Sequence, residues 1–171
     1  MILFKRNFIK RFFSLIPLLV LFFLAFSETD FNFEKLSFLS FNLIYILIFY
    51  WVLKHPDILG YGFIFLAGII NDVVIGLPIG VSSITYLLLA GFAAYIRYLT
   101  VQPSLIFDWI VFAPSIAVTN SIYFYILTIF FDVKINYITL ALNTCVTILF
   151  YPIIGILFSF LANIISKEKN V

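Results

Sequence analysis

Charge is scarce in this chain. Only 11% of its 171 residues are Asp, Glu, Lys or Arg, and 64% are hydrophobic. A soluble domain carries about 25% charged and about 45–50% apolar residues. A globule of this length cannot hide so much apolar side chain from water, so the sequence predicts lipid as its solvent. The net charge is only +2, and no nucleic-acid partner is expected. Cys145 is the single cysteine, which excludes an intrachain disulfide and a cysteine-based metal site. It reads as a small apolar side chain within a membrane helix. His55 is the single histidine and reads as a solvated residue of the polar turn "KHPD".

These shortages also limit the chemistry. Metal sites need clustered His, Cys or carboxylate ligands, and the sequence offers neither such a cluster nor an HExxH motif. "GLPIG" and "NDVVIG" contain glycine but lack the GxxxxGK[ST] pattern of a phosphate loop. Ser82, Ser83, Ser115 and Ser121 are the conceivable nucleophiles, but a serine needs a positioned base beside it. His55 is expected at the opposite membrane face from Ser82. A carboxylate dyad needs two facing acids, and Asp72 and Asp108 are expected toward opposite faces. No enzyme, cofactor or metal is therefore expected.

What is present is a series of long apolar runs. Transmembrane barrel strands alternate apolar and polar residues. These runs do not, so the expected fold class is all-α: a polytopic integral membrane protein in one domain, residues 1–171. Spanning helices need about 20 apolar residues, and six candidates emerge, at about 12–27, 37–53, 58–76, 80–98, 105–131 and 137–165. The basic, then apolar N-terminus also fits a signal peptide. No small-x-small cleavage site follows it, and it reads as an uncleaved first helix. Pro114 and Pro152 fall inside the last two spans. Such prolines are tolerated where neighbouring groups satisfy the freed carbonyls.

Lys and Arg predict the orientation. With the N-terminus inside, eight of the ten basic residues are cytoplasmic: Lys5, Arg6, Lys10, Arg11, Lys54, Arg97, Lys167 and Lys169. Lys35 and Lys134 lie outside, and both termini are inside. Trp51, Trp109, Tyr50, Tyr95 and Tyr98 fall near predicted inner helix ends, as an interfacial aromatic belt requires.

The stretch "AGIINDVVIGLPIG", residues 67–80, places one carboxylate in an apolar helix and follows it with a glycine-proline turn. Gly68, Asp72 and Gly76 are spaced by four, so they are expected on one helix face. Small residues at that spacing let another helix approach closely. Gly76, Pro78 and Gly80 supply a turn. The helix after it begins with amides that have no partners, and Asp72 lies within reach to cap them. On that reading Asp72→Asn should be tolerated, because an amide oxygen still accepts.

Residues 50–83, "YWVLKHPDILGYGFIFLAGIINDVVIGLPIGVSS", resemble the rod shape-determining protein MreD family of bacteria. The resemblance rests on Tyr50 and Trp51 ahead of Pro56, then Gly68 and Asp72 running into Gly76, Pro78 and Gly80. "LNTCVTILFYPIIGILFSFL", residues 142–161, is similar to that family's last helix, with Asn143 and Pro152 in corresponding places. The resemblance implies a non-catalytic, multi-pass scaffold of the bacterial inner membrane. MreC is its expected direct partner; MreB, RodA and the elongation transpeptidase are expected partners at one remove. Its helical arrangement is also said to resemble that of substrate-binding subunits of energy-coupling transporters, an analogy of fold only. A solute-binding transporter subunit is therefore the alternative. It requires a pocket with converging polar groups near the outer face. For that the sequence offers Asp72, Asn71, Asn120 and Asn143, and no small-molecule substrate is expected.

Overall fold

The computed structural model describes residues 15–27, 41–100, 104–133 and 136–167, with side chains described through residue 163 of the last segment. Six described helices follow one another: α1 (Leu15–Phe26), α2 (Leu43–Lys54), α3 (Tyr61–Ile75), α4 (Val81–Leu99), α5 (Leu105–Tyr125) and α6 (Tyr137–Lys167). A single π-helical turn, Ile126–Phe130, continues α5. No strand occurs among the described residues. Residues 1–14 and 28–40, which include four of the expected cytoplasmic cations and the acidic first loop, lie outside the described residues.

Three of these helices are long and apolar enough to cross a membrane: Val81–Leu99, Leu105–Phe130 and Tyr137–Asn163. At 1.5 Å per residue, the 26 residues of Leu105–Phe130 reach about 39 Å, more than a hydrocarbon core of about 30 Å. Helices α2 and α3 are shorter than the runs that announced them. In α2 the reason is local. Asn42 is extended, its side chain accepts from the Tyr45 amide, and it caps the helix there. At the other end Pro56 follows the C-cap His55, where a helix cannot continue. Residues 58–60 are not helical, so the third run enters its helix only at Tyr61.

Cross-helix contacts set the helix directions. The Arg97 guanidinium, near the end of α4, donates to the Val52 carbonyl near the end of α2. Lys54 meets Asp108 at the start of α5. At the opposite end the Asn42 amide donates to Thr147 in the first half of α6, and the α3–α4 turn closes around Asp72. Helices α2 to α6 therefore alternate in direction, giving the bundle an Asp72 end and a Lys54 end.

Helix α2 forms the centre. Every residue from Ile44 to Leu53 is buried, with α4, α5 and α6 packed around it. Phe49 meets Phe112 of α5 and Tyr151 of α6 at ring separations of 5.0 and 6.0 Å. α3 sits at the periphery against α4. Its buried residues, Ile64, Ala67, Gly68, Asn71 and Asp72, recur every three or four positions and form one packed stripe.

The distribution of polarity is inverted relative to a water-soluble fold. Asn71, Asp72, Thr85, Asp108, Thr119, Asn120 and Thr147 are buried, while Phe63, Leu66, Ile106, Ile110, Leu149, Ile153 and Phe160 are exposed. An apolar exterior around polar interior contacts is what lipid favours, because polar groups there have no other partners.

The expected aromatic belt needs a correction. Tyr95 and Tyr98 are exposed, but Tyr50 and Trp51 are buried. They sit on the central helix and pack against Phe158 of α6. A helix surrounded on all sides has no interfacial face to offer. Trp109 is half-buried, and its indole N–H donates to the Ile148 carbonyl at 2.8 Å. That carbonyl is the one Pro152, four residues on, cannot serve. The proline inside α6 is thus accommodated by a side chain from α5.

Candidate functional site

Asp72 ends its own helix and begins the next. Its carbonyl accepts the amides of Gly76 and Leu77, closing α3 with Gly76 in the left-handed region at φ 74°. Its carboxylate reaches across the turn. Oδ2 accepts from the Gly80 amide at 2.7 Å, and the Ser82 amide lies 3.0 Å from Oδ1 and 3.2 Å from Oδ2. Gly80 also needs the left-handed region, at φ 104°. It precedes α4 without a side-chain cap of its own, so Asp72 supplies the missing acceptor from outside that helix.

Gly76 is a correction to the shared-face expectation: it terminates α3 and does not sit on the face of Gly68 and Asp72. Gly68 does sit there, and it marks the closest approach of α3 and α4. A Cβ at residue 68 would lie 2.4 Å from Ser83 Cα and 2.5 Å from Ser83 N. Ser83 Oγ donates to the Phe65 carbonyl, and Asn71 Nδ2 donates to Ser82 Oγ. The hairpin is thereby tied by backbone contact, a carboxylate clamp and two side-chain bonds.

Beside this hairpin the fold builds a cavity of about 360 Å³ at the Asp72 end, to which all six described helices contribute. Asn42, Asn71, Asn120 and Asn143 line it with Tyr45, Tyr86 and Tyr123. These residues are spread over a hundred positions of sequence, and only the tertiary fold gathers them. Asn143, given by the resemblance, is among them. Pro152 lies farther along α6 and Pro56 follows α2, so the structure does not bring the resemblance residues into one place.

At the Lys54 end lies a feature the sequence reading missed. Lys54 Nζ is 2.7 Å from Asp108 Oδ2, and Asp108 is fully buried. Asp108 Oδ1, the Trp51 indole N–H and the Tyr151 hydroxyl have no hydrogen-bond partner. The signal was available: two opposite charges at the expected inner ends of two apolar helices. His55, in the turn after α2, is half-buried, with its ring 5.4 Å from that of Trp51.

The remaining polar side chains are engaged within the helices. Ser115 and Ser121 donate to the carbonyls four residues back, and Ser82 and Ser83 belong to the hairpin. No group of three or more potential metal ligands occurs among the described residues. Cys145 is exposed on α6. Fold and site together define an all-helical bundle with a lipid-type surface, a clamped hairpin and a polar cavity. No protein-family model, curated protein or solved structure matches the chain.

Proposed function

We propose that the protein is a non-catalytic scaffold of the bacterial cell-elongation machinery, an MreD-like subunit that holds MreC in the inner membrane. On this reading all six helices cross the bilayer and both termini are cytoplasmic. The Asp72 end then faces outward, where the base of MreC's extracytoplasmic part emerges. MreB, RodA and the elongation transpeptidase are engaged through MreC.

One observation carries the reading. The residues of the resemblance from Gly68 to Gly80 form a hairpin held from within by the Asp72 carboxylate. A turn whose shape is fixed before binding presents a partner with a surface that loses little entropy on docking. The turn also exposes Ile79 (72% exposed) beside the clamped backbone, an apolar contact for a membrane-proximal partner. Affinity purification from cells producing MreC tests this. Pro78→Ala and Gly80→Leu variants, present at parental levels, should recover several-fold less MreC. Undiminished recovery with both would remove the hairpin as the contact. Cysteine accessibility at Ile79 from outside intact cells tests the orientation; labelling only after the cytoplasm is opened would refute it.

A further inference from the structure

We infer that the cavity at the Asp72 end is a binding site for a small, uncharged solute whose ring carries amino or hydroxyl donors. This goes beyond the scaffold reading: the docking turn at Pro78–Gly80 is not part of the cavity lining, although Asn71 and Ser82 of the hairpin are.

The argument rests on which polar atoms are already used. Thr144 Oγ donates its only proton to the Leu140 carbonyl at 2.7 Å. The 2.6 Å contact between Thr144 Oγ and the Asn120 amide must then be donated by Asn120 Nδ2. That fixes the amide and leaves Asn120 Oδ1 without a donor. Asn71 likewise spends its Nδ2 on Ser82 Oγ, and its Oδ1 has no donor. Asn143 Oδ1 is buried with no partner at all. Asn71 and Asn120 are only 8% and 7% exposed.

Three amide oxygens around one cavity are thus short of donors. Asn143 Oδ1 is buried in this condition, which is costly, and a ligand that brings N–H or O–H groups into the cavity supplies donors to the other two. Among the described residues no lysine, arginine or histidine lines the cavity; Lys54 and Arg97 lie at the other end of the bundle. The Asp72 carboxylate is committed to the hairpin. A carboxylate or phosphate on the ligand would find no counter-charge among the described lining residues and would face oxygen atoms. Tyr45, Tyr86 and Phe41 supply flat apolar walls. The volume, about 360 Å³, lies at the lower end of the roughly 300–1,000 Å³ typical of small-molecule sites.

Adenosine and adenosine 5′-monophosphate make a matched pair of probes, differing only in the phosphate. Thermal unfolding of the full-length protein in detergent would be followed with each at millimolar concentration. Adenosine should raise the midpoint by a few degrees, and the monophosphate should leave it unchanged. Asn143→Leu removes an acceptor that nothing serves in the empty protein. Without ligand this variant should unfold at or above the parental midpoint, yet its response to adenosine should be lost. Asn120→Leu should also lose the response. No response of the parent to adenosine, an equal response to the monophosphate, or an undiminished response in Asn143→Leu would each overturn the assignment. MreC recovery is the separate readout: it tracks the hairpin variants and should not change in Asn143→Leu.

Discussion

Replacing Asp72 by alanine would leave two backbone donors without their acceptor. The Ser82 amide is in a buried setting and the Gly80 amide in a partly buried one. An unsatisfied buried donor costs about 1–3 kcal/mol. Gly80 can recover part of that from water, and removing a buried carboxylate returns some desolvation energy. The net loss expected for Asp72→Ala is therefore about 2–4 kcal/mol. Asparagine gives a sharper result, and here the structure revises the expectation of tolerance. Oδ2 takes the Gly80 amide and shares the Ser82 amide with Oδ1, which serves Ser82 alone. An asparagine oxygen set toward Gly80 would place its NH₂ against the Ser82 amide, donor to donor. Asp72→Asn should then cost about 1–2 kcal/mol, less than alanine but not nothing. Equilibrium unfolding in mixed detergent micelles, monitored by tryptophan fluorescence, measures both. An alanine variant within about 0.5 kcal/mol of the parent would refute the clamp. Equal losses for asparagine and alanine would show that net charge, not the count of acceptors, governs the turn.

Other predictions concern packing and buried charge. Gly68→Ala would drive a methyl group into Ser83 backbone atoms that cannot rotate away, costing about 1–3 kcal/mol or separating α3 from α4. Gly62→Ala, where a Cβ meets nothing within 4 Å, is the control and should be neutral or stabilising; equal melting of the two variants would contradict the close approach. Lys54→Met should leave Asp108 buried and unpaired, at a cost of about 3–5 kcal/mol, whereas Lys54→Met with Asp108→Leu should recover most of the loss. A double variant no more stable than the single would show that the pair does more than neutralise itself. Trp109→Phe should cost about 1 kcal/mol by stranding the Ile148 carbonyl, and less in a Pro152→Ala background, where the helix can supply its own N–H. Strict additivity in that double-mutant cycle would break the link between the two residues.

Composition alone was enough to establish an all-helical, lipid-compatible chain, because apolar runs of this length and low charge have few other stable forms. The Asp72 clamp was also legible. Its acceptor and donors lie within ten residues, so local geometry and glycine-proline chemistry suffice to place them. Tyr50 and Trp51 show where such reading stops. Their position near a helix end predicts an interfacial belt, but whether a helix lies at the rim or the centre of a bundle depends on all its neighbours. The Lys54–Asp108 pair joins residues 54 positions apart, and the cavity joins asparagines from three helices and the cap of a fourth. Sequence determined which segments are helices and how the tight turn closes, since those are set by contacts among near neighbours. Only the tertiary structure decided which polar groups meet across the bundle, since that depends on how rigid helices pack in space.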